Sequence, residues 1–227
     1  MKTTETLFYE ISKVLNADEG VGKLISVAAR PGMGKTSLCH RIAVEIVMLN
    51  ETKALFFSLE ESKNKLINIF SDKWNLASEN LAKIRIEDTP TVSIDYIEKK
   101  ISEIPDLSVV LIDYIELIKD FTAGSQNEIL NKLKEICKSK NISIIYTCNI
   151  NRRMEKRINK RPILSDLDEY TQKNADTIFA LYREAYYMGD DPAAELRTLK
   201  NTYGELIRIP LIFDRKCLSF ECDDRNF

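Results

Sequence analysis

Apolar positions along this chain recur in two rhythms. Continuous or nearly continuous runs at Leu24-Ile25-Ser26-Val27, Ala54–Leu59, Ser108–Asp113, Ile142–Cys148 and Thr177–Tyr182 have strand length and predict buried strands. Between them, Leu38, Ile42, Ala43, Ile46 and Leu49 recur at helical spacing over 35–50. So do Leu66, Ile67, Phe70 and Trp74 over 61–75, and Ile129, Leu130, Leu133, Ile136 and Cys137 over 125–140. Ile84-Arg85-Ile86 predicts a short strand, Glu87-Asp88-Thr89-Pro90 a turn, and Ser93 the cap of a helix reaching about Ile104. His40 is expected to point away from the buried face of its helix. Strands alternating with helices indicate parallel βαβ units, so the fold class is α/β with a mostly parallel sheet flanked by helices. The two ends differ from this rhythm. Leu7, Phe8, Ile11, Val14 and Leu15 predict one amphipathic helix in a short leader over 1–21, ahead of the main domain over 22–227. Near the other end, 195–200 and 205–213 alternate as an antiparallel hairpin across Tyr203-Gly204, with Ile207, Ile209, Leu211 and Phe213 on one face and Arg208 on the other.

Composition narrows the classes. The chain has 227 residues, enough for one large α/β core. Net charge is −2, so no global basic field attracts nucleic acid, and such binding must come from a local patch. Five cysteines without a CxxC pair, and one histidine, argue against a zinc site and a disulfide framework and suit a reducing, cytoplasmic setting. No apolar run approaches the ~18 residues of a membrane span, so no membrane partner is expected.

The chemistry concentrates at Ala28-Ala29-Arg30-Pro31-Gly32-Met33-Gly34-Lys35-Thr36. Strand, glycine-containing loop, Gly-Lys-Thr and helix form the context of a phosphate loop. Gly32 and Gly34 let successive N–H groups turn toward an anion, Lys35 supplies a point charge, and the Thr36 hydroxyl suits Mg²⁺. The expected nucleotide contacts are Arg30, Pro31, Gly32, Met33, Gly34, Lys35, Thr36 and Ser37. The usual first glycine of the pattern is Ala29, small enough to allow the turn. Asp113 ends an apolar strand, where it can hold the water shell of the same ion, so Thr36 and Asp113 are the metal candidates. The stretch 151–161 carries Arg152, Arg153, Lys156, Arg157, Lys160 and Arg161 against the single acid Glu155. It reads either as a solvated loop or as a phosphate-backbone contact. It holds no aromatic, so base stacking is not suggested.

These motifs, with Phe57-Ser58-Leu59-Glu60, Leu111-Ile112-Asp113-Tyr114, Lys160-Arg161-Pro162-Ile163-Leu164-Ser165-Asp166-Leu167, Ala175–Arg183 and Lys200-Asn201, stand in an order that resembles the C-terminal ATPase domain of DnaB-type replicative helicases. The resemblance covers about 22–220. It implies a RecA-like P-loop fold in which the Asn149 strand lies between the phosphate-loop strand and the Asp113 strand. It also implies catalytic roles for Lys35, Glu60, Asp113, Asn149 and Lys200, with ATP and Mg²⁺ as the nucleotide and metal. Glu60 would orient and deprotonate the attacking water, its other reading being an acid that favours a helix N-terminus. Asn149 stands where the family usually has Gln and would sense the γ-phosphate. Arg183 joins the nucleotide contacts, and Arg152, Arg153, Lys156 and Arg157 match the loop that faces single-stranded DNA in a hexameric ring.

The departures from the family are specific. The arginine that reaches into a neighbouring subunit's ATP is replaced by Thr202, with Arg208 as a candidate substitute, and Asp168 stands where the family tends to have Arg. An arginine finger is worth ~10³–10⁵ in rate, so its loss predicts slow hydrolysis. The family's N-terminal domain and linker helix are expected to be missing or reduced, leaving the leader helix as the docking candidate. The expected function is ATP hydrolysis driving movement on single-stranded DNA in replication, as a homo-oligomer. The alternative is a nucleotide-switched regulator that binds DNA or protein and turns over slowly or not at all. A third reading is a relative of RecA-like recombination or clock ATPases that shares only the core.

Overall fold

The apolar runs become six parallel strands, β1 (Leu24–Ala29), β2 (Lys53–Ser58), β3 (Ile84–Glu87), β4 (Leu107–Asp113), β5 (Ser143–Asn149) and β6 (Thr177–Arg183). Three antiparallel strands continue the sheet, β7 (Ala193–Asn201), β8 (Arg208–Asp214) and β9 (Ser219–Cys222). This computed structural model describes Ile11 and residues 22–119, 121–187 and 189–223. The leader helix expected over 1–21, apart from Ile11, and the side chain of Leu49 lie outside the described residues. Ile11 itself is buried in the core. Across the sheet the order is β3-β2-β4-β5-β1-β6-β7-β8-β9. β5 therefore separates β1 from β4, as the resemblance implies.

The helices are α1 (Lys35–Asn50), α2 (Lys63–Asn68), α3 (Ser78–Leu81), α4 (Ile94–Ser102), α5 (Gln126–Lys140) and α6 (Glu169–Asn174). Helices on both faces bury the central parallel strands almost completely, which is why those strands read as continuous apolar runs, while the edge strand β3 leaves Arg85 exposed. Successive side chains enter opposite cores. Val27, Phe56, Leu111 and Ile145 pack with α1 on one face, while Ala28, Phe57, Ile112 and Ile144 pack with α4 and α5 on the other. Ser93 caps α4 as expected, its Oγ accepting the N–H of Tyr96 at 3.2 Å.

Three sequence expectations change. The helix expected over 61–75 breaks into α2 and a π-turn at Ile69–Lys73, because Trp74 is held from outside the segment: its Nε1 donates to the Cys217 carbonyl at 3.0 Å. The C-terminal hairpin is a three-stranded meander, since the short β9 adds to β8. His40 is buried, stacked on Phe56 with ring centroids 5.3 Å apart and edge-on to Phe70 at 5.5 Å. Helix α1 is covered on more than one side, by the sheet and by α2 with its π-turn, so its buried surface is wider than one apolar stripe. Burial lowers the His40 pKa. Among the described residues no helix is long and apolar enough to cross a membrane.

Candidate functional site

The strand order reverses beside β1, and a cavity of about 530 Å³ opens there, at the carboxyl ends of β1, β2, β4 and β5. Ligands collect at such a reversal in open α/β sheets. Pro31, Gly32, Gly34, Lys35, Thr36, Ser37, Glu60, Asp113, Asn149 and Arg183 all line it, joined by Tyr114, Phe213 and Leu218. Residues from six separated stretches of the sequence thus converge on one site.

The loop between β1 and α1 sets the shape of its floor. Gly32 and Gly34 have φ of +79° and +94°, in the left-handed region that favours glycine. A Cβ at Gly34 would stand 3.0 Å from the Phe220 ring of β9, so the antiparallel strands press on the loop from behind. Gly34 is the N-cap of α1, makes no side-chain cap, and is followed by a first turn without an acid. The unpaired N–H groups and positive dipole end of a 16-residue helix therefore face the cavity with no acid in the helix's own first turn. That is the electrostatic form of an anion site.

Lys35 extends across this end. Its Nζ donates to Asn149 Oδ1 at 3.0 Å and to the Ala29 carbonyl at 3.4 Å. Burial lowers its pKa, opposed by Cys148, Asp113 and Glu116. Asp113 is buried at the tip of β4. Its Oδ1 accepts from Thr147 Oγ1 at 2.5 Å, while Oδ2 is buried without a hydrogen-bond partner. An orphaned carboxylate oxygen in a cavity that Thr36 also lines fits a hydrated cation. No cluster of three or more carboxylate, imidazole or thiol donors exists among the described residues. That donor set suits Mg²⁺, which keeps waters and phosphate oxygens, better than an ion caged by protein. Glu60 follows β2, the strand next to β4, and is exposed at the cavity rim. Burial and the neighbouring Asp113 raise its pKa. Arg183 ends β6 with its guanidinium 3.9 Å from the centre of the Phe213 ring and its Nε buried without a partner. Burial and Arg215 lower its pKa. The peptide between Asp113 and Tyr114 is cis.

Other expected residues lie elsewhere. Arg30 turns away from the cavity, donating to Glu155 and to the Ile150 carbonyl. The Met33 side chain is in the core, which leaves only its backbone near an anion. Lys200 pairs with Ile178 at the start of β6, at the end of the sheet opposite the cavity. Its Nζ donates to the carbonyls of Gln172 and Lys173 at 2.9 and 3.3 Å, and burial and Lys134 lower its pKa. Thr202 donates its hydroxyl to the Asp176 carbonyl at 2.9 Å. Arg208 is exposed and pairs with Glu195 at 2.6 Å.

The basic stretch follows β5 as a 3₁₀ turn, Arg152–Lys156. Arg152, Arg153 and Lys156 are exposed, as is the apolar Ile158. Arg157 instead makes a two-pronged bond to Asp166, each contact 2.6 Å. Sequence reasoning passed over Glu116, whose Oε1 accepts the Asn149 backbone N–H at 3.2 Å and whose pKa burial raises. It also passed over Thr147. The available signal for Thr147 was polar residues at alternate positions, Thr147 and Asn149, at the carboxyl end of a buried strand.

A sequence profile of the DnaB-like helicase C terminal domain matches residues 5–83 and 71–222. A probable replicative DNA helicase of Trieres chinensis is 31% identical, the match covering 94% of this chain and 56% of that protein. The replicative DNA helicase DnaB of Geobacillus stearothermophilus is 27% identical over 90% of this chain and 53% of its own. The chain spans about half the length of these curated relatives. In fold it is similar to a DnaB-like replicative helicase whose interactions with primase were studied, with TM-score 0.75 and 24% identity over 97% of this chain and 67% of that one. It is also similar to the RadB recombinase, with TM-score 0.67 and 15% identity over 99% of this chain and all of that one.

Proposed function

The chain belongs to the DnaB-like helicase C terminal domain family, and from that premise we propose that it hydrolyses ATP to drive movement on single-stranded DNA in replication. The observation that carries this reading is the convergence of Lys35, Glu60, Asp113 and Asn149 on the bare N-terminus of α1. The glycine loop and helix end cradle the inner phosphates, and Lys35 exchanges Asn149 and the Ala29 carbonyl for the outer ones. Glu60, just past the end of β2, the strand paired with that of Asp113, orients the attacking water and takes its proton. Asn149, released by Lys35, contacts the γ-phosphate at the root of the basic loop. Thr36 and the free Oδ2 of Asp113 would hold Mg²⁺, which offsets charge on the β- and γ-oxygens. Arg183 and Phe213 close the side of the cavity. The exposed cations Arg152, Arg153 and Lys156 meet the strand's phosphates.

The reading includes assembly into a ring, in which a neighbouring copy completes each site. A nucleotide-switched binding protein with slow turnover is the second reading. It is favoured by Thr202, which stands at the position of the trans arginine and is bonded within its own chain. The discriminating experiment is the mass in solution with Mg²⁺-ATP and single-stranded DNA, measured alongside the ATPase rate. The motor predicts a hexamer with DNA-stimulated turnover. A monomer or dimer with neither overturns it in favour of the switch.

A further inference from the structure

Arg30 leaves the end of β1 at the start of the phosphate loop, yet it is buried and does not line the cavity. Nε donates to Glu155 Oε1 at 2.8 Å, and Nη1 donates to the Ile150 carbonyl at 2.9 Å. The backbone closes the same seam, the Ile150 N–H donating to the Ala29 carbonyl at 3.1 Å. Three directed bonds therefore tie the root of the phosphate loop to the root of the basic loop. The two side-chain bonds need a planar fork reaching two acceptors at once, which arginine supplies and lysine does not. Glu155 is the one acid of the basic stretch, and it faces inward to this bond. The 3₁₀ turn it belongs to has two faces, with Met154 and Glu155 inward and Arg152, Arg153 and Lys156 outward. The Ala29 carbonyl is shared, since it also lies 3.4 Å from Lys35 Nζ. When Lys35 turns to a phosphate, it lets go of a group inside this seam.

We propose that Arg30 and Glu155 are a positioning pair that couples occupancy of the phosphate loop to the placement of the outward cations. Arg30 is then a link to the strand-binding loop and not a nucleotide contact. The inference rests on the proposed ATP-driven action on single-stranded DNA. A pair that couples two sites must act reciprocally: the factor by which nucleotide changes strand affinity equals the factor by which the strand changes nucleotide affinity.

The test measures that factor on the full chain, as the affinity for oligo-dT with and without Mg²⁺ and a non-hydrolysable ATP analogue. In the parent a factor of roughly 5–150 is expected, the ordinary range of coupling between sites. Glu155→Ala should bring it close to one while basal ATPase and nucleotide affinity stay at parental levels, and Glu155→Gln, which keeps an acceptor, should restore part of it. Glu155→Ala leaves a buried guanidinium without its carboxylate, which threatens folding. The double variant Arg30→Met/Glu155→Met removes both partners together and should also lose the coupling. Amides of 152–156 should gain hydrogen-exchange protection on analogue binding in the parent and not in these variants. A parental coupling factor in Glu155→Ala or in the double variant overturns the proposal. So does a parent that hydrolyses ATP and binds oligo-dT with the two affinities independent. A parent that neither binds nor hydrolyses ATP overturns the underlying reading, and this one with it.

Discussion

The ammonium of Lys35 lies 3.0 Å from Oδ1 of Asn149, so the cation of the phosphate loop is held by the tip of the adjacent strand β5. In the proposed ATP site a bound nucleotide would draw Lys35 away from this bond, and Asn149 would be the group that registers the phosphates. Lys35→Ala removes the charge and should weaken ATP binding by about 10–100-fold, the worth of one or two charge-assisted hydrogen bonds. Asn149→Ala should leave ATP binding within a few-fold and lower DNA-stimulated turnover. Calorimetric titration with the ATP analogue and steady-state ATPase assays separate the two effects. Parental affinity in Lys35→Ala would refute the site.

The pH dependence of turnover follows from opposite shifts on two groups. Burial and then Asp113 raise the Glu60 pKa, and a base works only when deprotonated, so activity should fall on acidification at a pH above the ordinary glutamate range. Burial lowers the Lys35 pKa, so its charge, needed for phosphate, is lost on alkalinisation earlier than for a free lysine. The kcat/KM profile of the free protein should be a bell narrowed from both sides. Glu60→Gln should cut turnover by about 10²–10⁴-fold and remove the acid limb. An acid limb that survives in this variant would return Glu60 to the role of a helix-end acid.

The phosphate loop and the Asp113 strand were legible because their signals are local: an apolar run, then glycines or a charge, then a helix. The position of β5 between β1 and β4 was legible only through resemblance, since periodicity says nothing of strand order. What stayed hidden was made by distant partners. Arg30 reads as a nucleotide residue from its place in the phosphate-loop motif, but its acceptor Glu155 lies 125 positions along the chain. His40 was off the predicted face because one stripe was assumed for a helix covered on several sides. The four residues of β9 alternate too briefly to announce a strand, and the π-turn after α2 is fixed by the long-range bond from Trp74 to Cys217.

Strand binding should be read through its salt dependence. Arg152, Arg153 and Lys156 are the exposed cations of the turn. If each neutralises one phosphate, replacing all three with Ala should lower the slope of log affinity against log salt by about 2, at about 0.7 per contact on a single strand. Oligo-dT binding followed over a salt series checks this. An unchanged slope would assign the turn to solvent.

Arg157, from the same stretch, should behave differently, because it is already engaged. Asp166 is buried, and burial alone would raise its pKa, but the two bonds from Arg157 and the Ile163 N–H at 2.8 Å outweigh that and lower it. Removing the guanidinium leaves a buried carboxylate short of partners. Arg157→Ala should cost about 1–2 kcal/mol at neutral pH, a figure discounted because the guanidinium is partly open to solvent. The sign with pH follows from the direction of the shift. A carboxylate whose folded pKa is depressed contributes stability above its unfolded pKa and loses it as pH falls through the folded value. The gap in urea midpoint between parent and Arg157→Ala should therefore be widest near neutrality and close in acid, where Asp166 is protonated in both. Arg161, whose carbonyl accepts from the same guanidinium at 3.0 Å, would be released in the variant, so the loop's far end should also lose hydrogen-exchange protection. An unchanged midpoint with a lower oligo-dT salt slope would instead place Arg157 among the strand contacts.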